Sequence, residues 1–191
     1  MEINLIFDSF FSSIICVRFC EIGIFCKLTL NVSFWSLINL ERSANNPSEM
    51  SIEVFANFWS LLTKINANKF GVKNRVKIFK SDVDNFNLGK YDLIISNPPY
   101  IKKLDLKYLD KDVINFEPKL ALDGGLEGIS EIRKVINKSS ELIKKKGKLI
   151  LEIAFDQKNE VKKLLKNKGF YINNIVKDFA KNDRCIISTK I

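Results

Sequence analysis

The sequence predicts an α/β fold in which a mostly parallel sheet is layered with helices on both faces. From about residue 57 onward, short apolar runs alternate with segments whose apolar residues recur at helical spacing. One run, Leu93–Ile95, is wholly apolar, as is typical of a central parallel strand covered on both faces. This alternation indicates βαβ units, which stack helices against a sheet.

The first predicted element of this repeating part is a helix that ends near Gly71. Its apolar stripe follows the i, i+3, i+4, i+7 pattern and consists of Phe58, Leu61, Leu62 and Ile65. Two strands are predicted next, over Arg75–Phe79 and Tyr91–Ser96.

A second helix, marked by regularly spaced isoleucines, is predicted to end at Lys144–Lys146, because cations suit the carboxyl end of a helix, with Gly147 just beyond. A strand, a helix and an antiparallel pair of C-terminal strands complete the prediction. Their ranges are Lys148–Ile153, Val161–Leu165, Tyr171–Lys177 and Cys185–Thr189.

Residues 1–56 show no clean period, so we predict two parts: an irregular or incomplete N-terminal segment, 1–56, and an ordered domain, 57–191. The opening residues are strongly apolar. Asp8, Arg18 and Glu21 nevertheless interrupt the run before the roughly 18 uncharged residues that a membrane span needs. We therefore predict buried strands or helices there, and no membrane span.

The amino-acid composition excludes several kinds of catalytic and metal site. The 191 residues carry a formal charge of +9 and no histidine, which excludes histidine-based triads and histidine-ligated zinc. The lysines are spread along the chain, so the charge alone is weak support for a nucleic-acid partner. The four cysteines lack paired C-x-x-C spacing and are interpreted as buried reduced thiols of a cytoplasmic protein without a metal site: Cys16, Cys20, Cys26 and Cys185.

The strongest local feature is Asn97-Pro98-Pro99-Tyr100, at the predicted carboxyl end of a buried strand, where open α/β sheets bind ligands. Two prolines stiffen the turn and remove two backbone donors. The Asn97 side-chain oxygen and the Pro98 carbonyl can then accept both N–H bonds of one planar NH2 group, and Tyr100 offers a flat face against it. Such a site orients a nitrogen for attack on an electrophilic methyl group without a base. A plain proline-rich turn is the alternative interpretation.

With these residues the chain resembles S-adenosylmethionine-dependent methyltransferases of amide or exocyclic amino nitrogens, and within them the HemK/PrmC family. Three further segments carry the resemblance: Phe116–Gly128, Leu151–Gln157 and Asp178–Arg184. The resemblance covers about residues 64–191, and Ala154 and Lys181 stand where the family has glycines. Glu152 and Arg184 could form a structural ion pair or a pair at the site, and the structural interpretation is favoured.

The resemblance implies a Rossmann-like methyltransferase sheet. It also implies methyl transfer from S-adenosylmethionine to the side-chain amide of a glutamine in a peptide-chain release factor, by a cytoplasmic monomer. Asn97, Pro98, Pro99 and Tyr100 are then the catalytic residues. Two alternatives stay open. One is adenine-N6 methylation of nucleic acid, for which the chain has no spare length for a target-recognition segment. The other is an inactive domain.

The cofactor residues implied by the resemblance are Gly23, Glu41, Asp82, Val83 and Asn97. Asp82 and Val83 match the position near the adenine, and Glu41 follows Gly23 at about the spacing of a ribose-binding acid. The family's glycine-rich loop is missing, since Gly23 is the only glycine before residue 71. A diverged working site, a disrupted N-terminal third and a domain without catalysis therefore all remain possible.

Overall fold

The computed structural model describes residues 2–7, 13–18, 52–111, 113 and 119–191. For residues 2–7, 13–18, 52–59 and 120 it describes the backbone alone. These segments build one seven-stranded sheet with helices packed on it, which confirms the predicted α/β class.

The first half of the chain supplies four strands and a long helix. In chain order they are β1 (Glu2–Phe7), β2 (Ser13–Arg18), α1 (Ile52–Lys69), β3 (Val76–Lys80) and β4 (Tyr91–Asn97). Short 3-10 turns follow α1 and β3, at Lys73–Arg75 and Val83–Asn85.

The second half supplies three helices and three strands. After a 3-10 turn at Leu106–Tyr108 come α2 (Lys119–Leu122), α3 (Ser130–Leu142), β5 (Ile143–Glu152), α4 (Lys158–Asn167), β6 (Phe170–Lys177) and β7 (Asp183–Lys190). The predicted strands and helices of this half are confirmed, apart from the boundary between α3 and β5.

The strand order is β3-β1-β2-β4-β5-β7-β6. β4 and β5 are parallel, and α3 connects them as a crossover helix. β7 lies between β5 and β6 and is antiparallel to both, which confirms the predicted antiparallel C-terminal pair.

An antiparallel hairpin of β1 and β2 lies between β3 and β4 in the sheet. β1 runs parallel to β3, whereas β2 runs antiparallel to both β1 and β4. Ser13, the first residue of β2, therefore pairs with Asn97, the last residue of β4. Arg18, the last residue of β2, lies at the opposite edge of the sheet from Asn97. The N-terminal segment thus contributes two strands, while residues 8–12 and 19–51 lie outside the described part. The division at residue 56 stays a prediction.

The predicted end of α3 is wrong. The helix stops at Leu142, and Ile143 is already extended, so Lys144–Lys146 belong to β5 rather than to the last turn of a helix. The physical reason is that Ile143 pairs with Tyr91 and is buried in the sheet. Gly147 consequently lies inside β5, where a Cβ atom would come within 3.1 Å of the Asp92 carbonyl.

The apolar stripe predicted on α1 does not mark its packed side. Leu61 is 56% exposed and Ile65 is 53% exposed, whereas Ala67 is buried. The helix contacts β3 and the 3-10 turn that precedes it. Among the α1 side chains that the structure describes, residues 60–69, Ala67 is the buried one.

The hydrophobic core lies between the central strands and helices α3 and α4. Its fully buried members from the strands are Tyr91, Ile94, Leu149, Leu151 and Ile186, and those from the helices are Ile132, Val135, Ile136, Val161 and Leu165. Burial of such side chains is the main favourable contribution to folding. The core therefore fixes β4 and β5, the two strands whose ends carry the predicted site.

Leu149→Ala is expected to lower the free energy of unfolding by about 2–5 kcal/mol, because Leu149 is 0% exposed and its truncation leaves a cavity. Leu88→Ala is the matched control, since Leu88 is 53% exposed and its removal is expected to cost less than about 0.5 kcal/mol. Urea denaturation followed by circular dichroism measures both. Equal losses for the two variants would contradict this placement of the core.

Ser139→Ala is expected to raise the free energy of unfolding by about 1 kcal/mol. The Ser139 hydroxyl is buried in α3 and has no hydrogen-bond partner among the residues that the structure describes, and alanine is also the better helix former. Ser140→Ala is the control in the same helix, because the Ser140 hydroxyl donates to the Asn137 carbonyl at 2.7 Å. A loss of stability on Ser139→Ala, in the same urea experiment, contradicts the assignment of an unpaired hydroxyl.

Candidate active site

The strand ends that carry the candidate site lie in one row at the carboxyl edge of the sheet. Lys80 of β3 pairs with Phe7, Phe7 pairs with Ser13, and Ser13 pairs with Asn97. On the other side of β4, Ser96 pairs with Leu151, so Glu152 ends β5 at the same level. This edge is where ligands bind in open α/β sheets.

The loop Asn97–Tyr100 leaves β4 at this edge. Asn97 is exposed, Pro98 and Pro99 are buried, and Tyr100 is half-buried. The structure thus brings the four predicted catalytic residues into one turn, with the Asn97 side chain towards solvent and the proline rings towards the protein.

The backbone beyond Tyr100 is held by the segment 119–125. The Ile101 N–H donates to the Leu122 carbonyl at 3.1 Å, and the Gly124 N–H donates to the Ile101 carbonyl at 2.8 Å. Ile101 and Asp123 form an isolated parallel bridge. The turn is therefore continuous with a small pairing outside the main sheet, which limits its movement.

The buried side chain of Gln157 forms hydrogen bonds with the backbone of three loops. Its Nε2 donates to the carbonyls of Tyr100 and Gly128, both at 2.9 Å. Its Oε1 accepts from the Ala154 N–H at 3.0 Å. Gly128 has φ 73°, and a Cβ there would lie 2.4 Å from the Tyr100 carbonyl oxygen, so this position requires glycine.

The Tyr100 side chain reaches the ends of β5 and β7. Its hydroxyl donates to Glu152 Oε1 at 3.1 Å. The hydroxyl oxygen of Tyr100 in turn accepts from Arg184 Nη1 at 3.5 Å. Burial, reinforced by the neighbouring Glu152 carboxylate, raises the pKa of Tyr100 to about 12. The phenol therefore stays protonated at neutral pH and acts as a donor.

Glu152 and Arg184 meet at the Tyr100 hydroxyl. The ion pair of Arg184 is with Asp178, whose Oδ2 accepts from Nη2 at 3.1 Å and from Nε at 3.3 Å. Burial raises the pKa of Glu152, while its contacts with Tyr100 and Arg184 act in the opposite direction. Both residues therefore contact the Tyr100 hydroxyl, and their role at the site stays a prediction.

Asp178 is fixed by the turn between β6 and β7. The Asn182 N–H donates to its carboxylate at 2.9 Å, and this hydrogen bond, together with Arg184, holds the pKa of Asp178 below its usual range. The Asp178 N–H in turn donates to the Asn182 carbonyl at 2.9 Å. The carboxylate is therefore ionised and rigidly placed to orient the Arg184 guanidinium.

Of the predicted cofactor residues, Asp82 and Val83 follow β3 at the same edge as Asn97. Asp82 is half-exposed and starts a 3-10 turn, while the Val83 side chain is 2% exposed and belongs to the core. β1 and β2 separate β3 from β4 in the sheet, so Asp82 and Asn97 lie along the same edge without being neighbours. Gly23 and Glu41 lie outside the described residues, as do Cys20, Cys26 and Glu117.

The sequence predicts no role for Gln157 beyond its place in a motif that the family shares. Its function depends on two carbonyls that lie 57 and 29 positions away along the chain, so no local pattern reveals it. The one signal was its place in the Leu151–Gln157 segment.

Within the described part of the chain, no cluster of cysteine, aspartate and glutamate has a geometry suited to a metal ion. No described helix combines the length and apolarity of a bilayer-spanning segment.

Residues 22–113 match the family model described as "RMKL-like, methyltransferase domain". Release factor glutamine methyltransferases are among the relatives: that of Clostridium acetobutylicum is 35% identical over 132 residues, which is 68% of this chain and 46% of that protein. That of Fusobacterium nucleatum is 42% identical over 101 residues, covering 53% of this chain and 28% of that protein.

A protein named bifunctional methyltransferase, from Rickettsia bellii, is 31% identical over 156 residues, which is 81% of this chain and 27% of that protein. The chain thus spans less than half the length of these curated relatives. The similarity includes β4 and its Asn97–Tyr100 loop, the part of the structure that carries the candidate site. By these matches, the chain carries a methyltransferase domain similar to that of the HemK/PrmC family.

Proposed function

We propose that the chain transfers a methyl group from S-adenosylmethionine to the side-chain amide nitrogen of a glutamine in a peptide-chain release factor. The observation that carries the proposal is the Asn97–Tyr100 turn at the carboxyl edge of the sheet, with Asn97 exposed and Tyr100 fixed by Glu152 and Arg184. The names of the relatives from Clostridium acetobutylicum and Fusobacterium nucleatum support this choice of substrate. A release factor as substrate places the reaction in the cytoplasm, and we propose that the chain acts as a monomer.

The chain's own residues orient the acceptor. The Asn97 side-chain oxygen and the Pro98 carbonyl each accept one N–H of the glutamine amide, and the Tyr100 ring lies against its plane. Holding both N–H bonds directs the nitrogen lone pair to the side where the methyl group is presented. These acceptors also stabilise the positive charge that develops on nitrogen during attack. The proton leaves for solvent only after the new N–C bond has formed, so no histidine is needed.

The cofactor residues proposed at this edge are Asp82 and Asn97. The Asp82 carboxylate would accept hydrogen bonds from the nucleoside, and Asn97 would hold the acceptor amide at the same edge of the sheet. S-adenosylmethionine supplies the electrophilic methyl group and leaves as a neutral thioether. Val83 contributes by packing under this turn, because its side chain is buried in the core.

One observation favours the alternative of a domain without catalysis. β2 runs antiparallel to β4, so its carboxyl end, Arg18, points away from the edge that holds Asn97. The segment that follows β2, residues 19–51, lies outside the described part of the chain, and its sequence holds Gly23 as its one glycine. Cofactor binding and methyl transfer are therefore tested separately.

Titration with S-adenosylmethionine, followed by isothermal calorimetry, is expected to show saturable binding that Asp82→Asn weakens about tenfold, as the loss of a hydrogen bond to a charged acceptor does. Asp84→Asn is the control, since Asp84 is exposed in the same 3-10 turn and is expected to leave the affinity unchanged. If no saturable binding is found for the full chain, the proposed activity is wrong.

Asn97→Ala is expected to lower the rate of methyl transfer to a purified release factor by about 100- to 1000-fold, because an acceptor of the transition-state charge is lost. Asn68→Ala, on the exposed side of α1, is expected to have no effect. Transfer of radiolabelled methyl groups measures both, with a glutamine peptide and an adenine-containing duplex as competing acceptors. Undiminished transfer by Asn97→Ala refutes the site, and methylation of the duplex alone refutes the substrate.

A further inference from the structure

Four polar side chains form a continuous hydrogen-bonded chain that includes Tyr100, the last residue of the Asn97–Tyr100 turn. We call this turn the acceptor turn, because the proposed function places the acceptor amide there. Asp178 accepts from Arg184, Arg184 donates towards the Tyr100 hydroxyl, and that hydroxyl donates to Glu152. All four residues are half-buried. We call this set, Asp178, Arg184, Tyr100 and Glu152, the Tyr100 network.

The network is not needed to place the backbone of the turn. Gln157 already holds the Tyr100 carbonyl, and the pairing of Ile101 with segment 119–125 holds the next residue. With the backbone fixed, the remaining freedom of Tyr100 lies in its two side-chain torsions. A hydroxyl that accepts from one side and donates to the other leaves one orientation of the ring.

The charges in the network alternate, which favours one protonation state. Asp178 is ionised beside the Arg184 cation, and the Tyr100 phenol stays neutral between Arg184 and Glu152. Placing the Glu152 carboxylate in a half-buried position is unfavourable, as the burial that raises its pKa shows. Its contact with the Tyr100 hydroxyl and the nearby Arg184 cation offset part of that cost, although the pKa of Glu152 stays above its usual value.

We propose that Glu152, Arg184 and Asp178 are positioning residues that set the Tyr100 ring against the acceptor amide, with Asp178 orienting Arg184. The inference rests on the proposed function, because it assigns the ring the task of contacting a planar amide. The network joins the turn after β4 to the end of β5 and the start of β7, and Arg184 lies 84 positions from Tyr100 along the chain. Acceptor placement thus depends on the C-terminal strand pair.

The test combines kinetics with a measurement on the tyrosine itself. Glu152→Ala is expected to lower kcat/KM for the release factor about tenfold, a size typical of coupled neighbours. Glu152→Gln keeps an oxygen that accepts from the hydroxyl and is expected to restore most of the rate. In a Tyr100→Phe background, Glu152→Ala is expected to add less than about twofold. Glu127→Ala, an exposed glutamate in the neighbouring loop, is the matched control.

The second readout needs neither cofactor nor turnover. In a chain labelled with ¹³Cζ-tyrosine, Tyr100→Phe identifies the Tyr100 resonance. Glu152→Ala and Arg184→Ala are both expected to shift that resonance, and Glu127→Ala is not. A glutamine peptide is expected to shift it in the natural chain and to do so less in Glu152→Ala.

Each outcome decides the inference. An unmoved Tyr100 resonance in both Glu152→Ala and Arg184→Ala overturns the network, and an equal loss of rate from Glu152→Ala in the Tyr100→Phe background overturns its positioning role. If the natural chain transfers no methyl group, the proposed function fails, and the peptide-induced shift then decides the inference alone. A shift lost in Glu152→Ala supports it, and no shift, or the same shift in both, overturns it.

Discussion

The buried amide of Gln157 is the constraint on which the site depends. Its three hydrogen bonds join the Asn97–Tyr100 turn, the loop around Gly128 before α3 and the turn after β5. Satisfying a buried amide in this way is strongly favoured, because any group left unpaired costs about 1–3 kcal/mol. The arrangement also requires Gly128, since a Cβ there would collide with both the Tyr100 carbonyl and Gln157 Nε2. Gln157 and Gly128, 29 positions apart in the sequence, are therefore both required for this arrangement.

Different contacts fix the backbone of the Asn97–Tyr100 turn and the side chain of Tyr100. Gln157 and the bridge between Ile101 and Asp123 fix the path of the chain, and the Tyr100 network fixes the direction of one ring. The excess positive charge of the sequence has little part in this. Ion pairs such as Lys144 with Asp92 lie at the surface, where each contributes at most about 1 kcal/mol.

The sequence predicted those parts of the fold that depend on local pattern. The apolar run of β4 identified the central strand, and the two prolines after it identified the turn that we propose as the site. The start of β5 could not be found, because Ile143 continues the helical spacing of α3 and leaves it only by pairing with Tyr91. The hairpin of β1 and β2 was equally hidden, as its place in the sheet depends on non-local pairing with β3 and β4. Gln157 was quoted as part of a motif, yet its contacts exist only in the folded chain.

The position of β7 has a consequence for the order in which the molecule is made. β6 precedes β7 in sequence, but in the sheet β7 separates β6 from β5. During synthesis from the amino terminus, β6 therefore emerges without a neighbouring strand to pair with until residues 183–190 follow and insert. The same insertion delivers Arg184 to the Tyr100 hydroxyl. A nascent chain can thus hold the Asn97–Tyr100 turn, β4 and β5 while the Tyr100 network is still incomplete, because the network closes only when β7 is in place.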